Sequence, residues 1–121
     1  MALIMVVEDN PTNMKLVLMV LQHGGHQVLQ ATGAEEAIAA IPLQKPDLIL
    51  MDVQLPGMDG FEAMTLLKSD PATMAIPIVA LTAFAMHGDE EKILNAGFDA
   101  YLAKPIRYAE LLALVNGLLT R

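Results

Sequence analysis

Short apolar runs alternate along the chain with longer segments in which apolar residues recur at helical spacing. The five apolar runs cover residues 3–7, 28–31, 47–52, 78–82 and 99–103. The central run reads Leu-Ile-Leu-Met before Asp52, which is too short to cross a membrane and too apolar for a half-exposed strand. Such a run is typical of a strand that is buried on both faces of a parallel sheet.

Helix signals lie between these runs. Asn10 and Pro11 predict the N-cap and the first residue of a helix that reaches about Gln22. Thr32 and Glu35 predict a capping box for a second helix, which ends at position 42 because a proline stands there.

The remaining three helices are predicted in the same way. Asp59 and Glu62 open a third helix that ends before Asp70. A fourth helix begins near Met86 and is capped by Gly97. The core face of the last helix consists of the apolar positions 111, 112, 115, 118 and 119.

Strand and helix therefore alternate five times with short connections. This pattern predicts an α/β fold in which five helices cover both faces of a doubly wound, five-stranded parallel sheet. The acids at the ends of the first and third strands predict that these strands are neighbours, which corresponds to the strand order 2-1-3-4-5. A chain of 121 residues is long enough for one domain and too short for two, so we expect a single domain over 1–121.

Composition says more about the partners of the protein than about its fold. The net charge is −7 and only seven residues are Lys or Arg, which argues against direct binding to nucleic acid. The first residues lack the basic region of a signal peptide and no segment is long enough to span a bilayer, so we expect a cytoplasmic protein without membrane contact. The absence of cysteine excludes disulfides and thiolate metal sites.

Polar side chains at four strand ends converge on one edge of the predicted sheet. They are Glu8 and Asp9 after the first strand, Asp52 on the third, Thr82 on the fourth and Lys104 after the fifth. Two carboxylates about 5 Å apart repel by roughly 3 kcal/mol at an effective dielectric of 20, and a divalent cation relieves this repulsion. Because oxygen ligands without His or Cys favour Mg²⁺, with Mn²⁺ as the alternative, we expect Asp9 and Asp52 to bind such an ion together with a backbone carbonyl.

The same edge predicts aspartyl-phosphate chemistry. Asp52 can attack phosphorus as a nucleophile, while Lys104 and the metal neutralise charge on the transferring group. Thr82 can donate a hydrogen bond to the product. Taken singly, each residue has a plainer interpretation: Thr82 fits a strand-end turn, and Lys104, which precedes a proline, fits an exposed loop lysine.

The chain resembles the receiver domain of two-component response regulators, a family with a flavodoxin-like fold, over essentially its whole length. The residues that carry the resemblance are Glu8-Asp9, Asp52, the turn at 55–60, Thr82-Ala83 and Lys104-Pro105. The only departure is Glu8, where Asp is also common in the family. The resemblance implies a cis peptide bond before Pro105, which would direct Lys104 into the pocket.

The resemblance also implies roles for further residues. The backbone carbonyl of Gln54 would be a metal ligand, and Glu8 would act on the metal through water. Tyr101 would be the switch aromatic, although a half-buried strand tyrosine is an equally good interpretation. Gln54, Ala83 and Phe84 would flank the phosphoryl group, and Phe84 would shield it from water.

The function implied by the resemblance is a phosphorelay switch, not an enzyme that acts on other molecules. Asp52 would accept a phosphoryl group from a histidine kinase or a histidine phosphotransfer protein. A downstream protein partner would then be exchanged at the face formed by the fourth helix, the fifth strand and the fifth helix. We expect a monomer or weak dimer. Segments 9–16 and 82–91 resemble single-domain regulators, which favours a stand-alone receiver. The alternative is a receiver domain detached from a hybrid histidine kinase or a longer regulator.

Three other classes are less compatible with the motifs. A flavodoxin-type redox protein would need a loop rich in hydroxyls and glycine after the first strand, where Glu8 and Asp9 would repel a flavin phosphate. A phosphatase with an aspartyl nucleophile normally has that aspartate after the first strand with a second one two positions on, and Asn10 occupies the second position. A receiver that only binds partners would not need the complete set of acids.

The first helix carries more apolar residues than one buried stripe requires. The positions that suffice to face a core are 16, 17, 20 and 21. The surplus residues Met14, Leu18 and Met19 predict either a broad buried stripe or a docking surface for a helical phosphodonor. For the second alternative, Met14 and Leu18 are the predicted docking residues.

Overall fold

The elements alternate along the chain as predicted, in a computed structural model that describes residues 2–83 and 89–120, apart from the side chain of Asp89. The strands in these ranges are β1 (Leu3–Val7), β2 (Gln27–Ala31), β3 (Leu48–Asp52), β4 (Ile78–Thr82) and β5 (Ala100–Ala103). The helices are α1 (Pro11–His23), α2 (Ala34–Ala40), α3 (Gly60–Ser69), α4 (Asp89–Ala96) and α5 (Tyr108–Leu119).

The five strands form one parallel sheet in the order β2-β1-β3-β4-β5, which confirms the predicted fold class and topology. All residues of β3 and β4 are buried, as expected for central strands covered on both faces. The register places Val7 beside Met51, Asp52 beside Leu81 and Thr82 beside Ala103, so these strands end at the same level.

Two apolar layers flank the sheet. On one face α1 and α5 pack against it, with Val17 and Leu21 in the same cluster as Leu111 and Val115. On the other face the cluster contains buried residues of α2, α3 and α4, namely Ala34, Ala37, Ala63, Met64, Leu67 and Ile93. Both clusters include side chains from the central strands, which is why the sheet cannot shift its register without exposing apolar surface.

The predicted face of α1 is partly wrong. Met14 is only 7% exposed and belongs to the core, whereas Leu16 is 41% exposed. The buried stripe of α1 runs through positions 14, 17, 20 and 21, at the i, i+3, i+7 spacing of one helix face. Leu16 lies outside this stripe. The prediction erred because α1 is apolar on more than one side, so that either of two neighbouring faces of the helix could be the buried one.

The N-terminal caps of α1 and α3 are as predicted, and that of α2 is not. The side chain of Asn10 accepts hydrogen bonds from the backbone of Thr12 and Asn13, and Asp59 accepts one from Glu62. In α2 the N-cap is residue 33, a glycine, and no side chain caps the helix. The predicted partner of Thr32 was Glu35.

Thr32 bonds Glu36 instead of Glu35. The Thr32 hydroxyl and backbone N–H both donate to Glu36 Oε2, at 2.9 and 3.3 Å. Because α2 begins one residue later than a Thr32 cap would require, the acid that reaches back is also one residue later.

The ends of the last two helices also bear on the predictions. The predicted start of α4 near Met86 lies outside the described residues, while Gly97 follows α4 with a φ of 127° that favours glycine. The predicted core face of α5 is confirmed, with positions 111, 115 and 118 buried and 112 and 119 partly buried. Among the residues that the structure describes, every helix is too short or too polar to span a membrane.

Candidate functional site

The carboxyl ends of four adjacent strands supply the candidate site. Glu8 directly follows β1, Asp52 is the last residue of β3, Thr82 is the last residue of β4 and Lys104 directly follows β5. These four residues, with Asp9, come from positions far apart in the chain. The parallel topology brings their strand ends to one edge of the sheet, as the sequence predicted.

Three carboxylates form the acidic part of the site. One oxygen each from Glu8, Asp9 and Asp52 lies within 4.8 Å of the others. Glu8 and Asp52 are buried, and Asp9 is exposed, so the cluster opens to solvent on the Asp9 side. An all-oxygen, carboxylate-rich set open to water fits Mg²⁺, which keeps several of its own waters.

Lys104 neutralises part of this negative charge. Its Nζ lies 2.8 Å from Asp52 Oδ2, to which it donates a hydrogen bond, and 2.7 Å from Glu8 Oε1 in an ion pair. Burial lowers the pKa of Lys104, but its hydrogen bond to Asp52, its ion pair with Glu8 and the charges of both acids outweigh burial and raise the pKa above its usual value. Lys104 therefore stays an ammonium at neutral pH.

The pKa of Glu8 is also raised, but here burial is the main cause. Burial raises the pKa of the Glu8 carboxyl, and the neighbouring Asp52 raises it further, while Lys104 and the backbone N–H of Asn10 lower it. The net shift is upward, and burial is its largest cause. A cation beside Glu8 would favour the charged carboxylate, which is consistent with a divalent cation at this cluster.

The turn between β3 and α3 fixes the Asp52 side chain. The backbone N–H of Gln54 donates to Asp52 Oδ1 at 2.8 Å, so that Asp52 is held by Gln54 on one oxygen and by Lys104 on the other. Gly57 has a φ of 76°, a conformation that favours glycine. The carbonyl of Gln54 stays a predicted metal ligand.

The other predicted residues of the phosphoryl pocket are placed as follows. Thr82 is buried and Ala83 is exposed, next to it in the chain, whereas Phe84 lies outside the described residues. The peptide bond between Lys104 and Pro105 is cis, as the resemblance implied.

A cavity of about 240 Å³ adjoins Thr82 on the side of α3 and α4. The residues that line it are Val53, Gln54, Asp59, Phe61, Thr82, Lys92 and Ile93. Phe61 and Lys92 were not among the residues predicted for the site. No local motif marks them, because only the packing of α3 and α4 against the strand ends brings them to this cavity.

The candidate switch residue Tyr101 is half-buried on β5. The interaction of its hydroxyl with the Glu90 carboxylate of α4, together with burial and the charge of Glu90, raises the pKa of Tyr101. Tyr101 and Glu90 also line a groove of about 620 Å³ together with Leu94, Glu110 and Leu114. The tyrosine thus links α4 and β5 across one surface of the protein.

The predicted docking residues lie beside the acidic cluster. Met14 and Leu18 line a groove of about 300 Å³ that also contacts Glu8 and Asp9. Met14 is buried in the core, however, and does not stand on a surplus apolar face as expected. Leu18 is half-buried, which leaves part of its side chain at the groove surface.

A five-stranded parallel α/β fold with three carboxylates and a lysine at one sheet edge places this chain among the domains of two-component signalling. Residues 4–116 match the family model for the response regulator receiver domain. The chain belongs to this family, and the resemblance inferred from its motifs is confirmed.

The relatives include single-domain regulators and receiver domains of kinases. The polar-differentiation response regulators DivK of Brucella anthropi and Brucella ovis are each 45% identical over 103 residues, which cover 85% of this chain and 84% of the relative. A response regulator from Chloroflexus aurantiacus is similar in structure, with a TM-score of 0.94, 33% identity and coverage of 99% and 98% of the two chains.

A third relative was solved with a metal ion. It is the receiver domain of the sensor histidine kinase PA1611 from Pseudomonas aeruginosa, which has magnesium coordinated in its active-site cleft. It is 36% identical, with a TM-score of 0.91 and coverage of 99% of this chain and 98% of the other.

Proposed function

We propose that this receiver domain takes a phosphoryl group onto Asp52 from a phosphohistidine and uses the modification to change its binding partner. In this reaction an Asp52 carboxylate oxygen forms a bond to phosphorus as the phosphorus–nitrogen bond of the donor histidine breaks. The donor is a histidine kinase or a histidine phosphotransfer protein. The protein is a signalling switch that catalyses only its own phosphorylation and dephosphorylation.

The observation that carries this proposal is the pairing of Asp52 with Lys104 inside a carboxylate cluster. The hydrogen bonds from Gln54 and Lys104 orient the two Asp52 oxygens before the donor arrives. Lys104 can neutralise charge on the transferring phosphoryl oxygens, and Thr82 can donate a hydrogen bond to them.

Asp9, Asp52 and the Gln54 carbonyl are the proposed direct ligands of Mg²⁺, with Glu8 acting through a water molecule. When bound, the ion supplies positive charge that offsets the repulsion between the carboxylates and the incoming phosphoryl group. The fit of the three carboxylates within 4.8 Å and the magnesium in the related kinase domain support this assignment. Mn²⁺ has the same ligand preference and is expected to substitute.

The proposed switch runs from Thr82 to Tyr101. A phosphoryl group on Asp52 adds negative charge and acceptor oxygens at the sheet edge, which favours a state in which Thr82 turns toward it. Tyr101 would then leave Glu90 and fill the space that Thr82 vacates. The surface of α4, β5 and α5 would change its partner as a result. Gln54, Ala83 and Phe84 would flank the phosphoryl group, and Phe84 would shield it from water.

Two arrangements of the whole protein are compatible with this function. A stand-alone regulator is favoured by the DivK proteins, of which the match covers 84%. A receiver domain that belongs to a hybrid histidine kinase is the second candidate, and the similarity to the kinase PA1611 domain supports it. The chemistry at Asp52 is the same in both.

Mass spectrometry after incubation with acetyl phosphate and Mg²⁺ tests the proposal. The wild-type protein should gain one phosphoryl group, and Asp52→Asn should gain none. Asp70→Asn is the matched control, since Asp70 lies at the far end of α3, and it should be phosphorylated like the wild type. A phosphoryl gain in Asp52→Asn would place the acceptor elsewhere.

The groove beside Glu8 and Asp9 is the proposed docking site for the phosphodonor protein. Leu18→Asp should slow transfer from a phosphotransfer protein that phosphorylates the wild type, and it should leave transfer from acetyl phosphate unchanged. An equal loss with both donors would argue against docking at this groove.

A further inference from the structure

Glu8 is buried more completely than the other acids of the site. Its side chain is 0% exposed, compared with 6% for Asp52, whereas Asp9 is exposed. Its two oxygens contact different parts of the protein. Oε2 accepts a hydrogen bond from the backbone N–H of Asn10 at 3.1 Å, and Oε1 lies 2.7 Å from Lys104 Nζ.

These contacts direct Glu8 toward the lysine. The cluster is open to solvent on the side of Asp9, so a hydrated Mg²⁺ ion would meet Asp9 before the buried Glu8. Glu8 Oε1 has no hydrogen-bond partner among the described residues, and the ammonium of Lys104 is the cation that it faces. A buried carboxylate oxygen without such a cation would be costly.

We propose that Glu8 is a positioning residue for Lys104 and contributes to phosphoryl transfer mainly through the lysine, with its effect on the metal secondary. The inference rests on the proposed function and assigns a further role within the same site. Lys104 carries its charge on a flexible four-carbon stem, so that one contact does not fix it. Glu8 and Asp52 together hold the ammonium from two sides.

The Glu8 contact matters most during transfer itself. The Asp52 carboxylate loses negative charge as its oxygen bonds to phosphorus, so its attraction for the Lys104 ammonium weakens as the reaction proceeds. Glu8 is not modified in the reaction, and its Asn10 hydrogen bond fixes it to the start of α1. It therefore keeps the ammonium beside the phosphoryl oxygens when Asp52 no longer can.

The test compares Glu8→Gln with Asp9→Asn, which removes one charge from the neighbouring residue. Phosphorylation by acetyl phosphate is followed as a function of Mg²⁺, and the Mg²⁺ affinity is measured separately by calorimetry. Glu8→Gln should slow the reaction at saturating Mg²⁺ by about tenfold, the effect of losing roughly one charge-assisted contact, with less than about a threefold change in Mg²⁺ affinity. Asp9→Asn should mainly weaken Mg²⁺ binding.

A normal rate for Glu8→Gln at saturating Mg²⁺ would overturn the proposal, whether its Mg²⁺ affinity is weakened or unchanged. A weakened affinity together with a restored rate would show that Glu8 acts through the metal.

A second measurement does not depend on phosphorylation. The side-chain ammonium of Lys104, assigned with Lys104→Met, is observed by NMR in the metal-free protein. Glu8→Gln should broaden or shift this signal because the ammonium becomes exposed to exchange with water, whereas Asp9→Asn should leave it in place. If the wild type is not phosphorylated at all, the proposed function fails while this readout still decides whether Glu8 positions Lys104.

Stability measurements cover the case in which a single variant folds poorly. Lys104→Met leaves Glu8 and Asp52 without their cation and should lower stability to urea, and adding Glu8→Gln should restore part of the loss. Additive effects of the two substitutions would contradict a direct interaction and overturn the proposal.

Discussion

Gly60 lies against the backbone carbonyl of Asp52 so closely that no side chain fits between them. A Cβ atom placed on Gly60 would be 2.5 Å from the Asp52 oxygen and 2.8 Å from Val53 Cα. The N–H of Gly60 also donates to the carbonyl of Val53 at 3.3 Å. The start of α3 is therefore seated directly on the end of β3, and the turn between them has no room to relax.

Gly60→Ala should consequently disturb both stability and the site. The added methyl group meets backbone atoms that cannot move aside, so we expect a loss of about 1–3 kcal/mol in the free energy of unfolding. Displacement of the turn should also slow phosphorylation at Asp52. Urea denaturation and acetyl phosphate labelling measure the two effects.

The control for this prediction is Gly117→Ala in α5. A Cβ at Gly117 would meet nothing within 4 Å, so alanine should stabilise the helix by about 0.5–1 kcal/mol. Unchanged stability and labelling in Gly60→Ala would show that the turn adapts, contrary to the contact distances.

A second prediction concerns a lysine at the opposite edge of the sheet. Lys68 Nζ donates to the carbonyls of Met74 and Ile76 and to Asp99 Oδ2, at 3.3, 2.9 and 2.8 Å. Asp99 Oδ2 also accepts from the N–H of Ile78 at 2.8 Å. One ammonium thus joins the end of α3, the segment before β4 and the residue before β5.

Lys68→Met should keep much of the apolar stem while removing the charge. It leaves the carbonyls of Met74 and Ile76 without this donor and the half-buried Asp99 carboxylate with only the N–H of Ile78, so we expect a loss of about 2–3 kcal/mol in unfolding free energy. Lys45→Met, at an exposed position, should change stability by less than about 0.5 kcal/mol. A similar small effect in both variants would show that Lys68 is not a structural clamp.

The two methionines of α1 should respond differently to a charge. Met14 is 7% exposed and Met19 is 59% exposed. Met14→Asp places a carboxylate in the core and should cost at least about 3 kcal/mol or prevent folding, whereas Met19→Asp should be tolerated. Thermal unfolding of the two variants shows whether Met14 belongs to the buried face of α1, as in the structure, or lies outside it, as the sequence favoured.

The choice of the buried face of α1 shows how far the sequence predicted the fold. The order of strands and helices followed from buried apolar runs and from breaks at glycine and proline, which are local properties. The buried face of α1 did not follow, because Met14, Leu16 and Leu18 are all apolar and any of them fits a core. Packing in the cluster that α1 shares with the sheet and α5 selects Met14, and that packing is not encoded within α1 itself.

The site was predictable for a different reason. Asp52, Thr82 and Lys104 each stand at or directly after the end of a strand, so a correct topology was enough to bring them together. The distribution of contacts within the site could not be predicted. That Lys104 pairs with Glu8 as well as with Asp52 depends on side-chain conformations and on the path of the loop after β5.

The interaction between Tyr101 and Glu90 predicts a specific pH response. The phenol donates to the carboxylate only while it keeps its proton, and its pKa is raised above the ordinary 10.0. A raised pKa means that this contribution to stability is complete below pH 10 and is lost as the pH rises through the pKa of the folded state. Glu90→Gln should therefore lower the pKa of Tyr101 toward its ordinary value.

Ultraviolet absorbance of the phenolate measures this pKa in a Tyr108→Phe background, where Tyr101 is the only tyrosine left. Glu110→Gln is the matched control, because Glu110 lines the same groove but does not raise the pKa of Tyr101. Glu110→Gln should leave the titration of Tyr101 almost unchanged. An equal effect of both variants would mean that general negative charge in the groove, and not a bond from Tyr101 to Glu90, raises the pKa of the tyrosine.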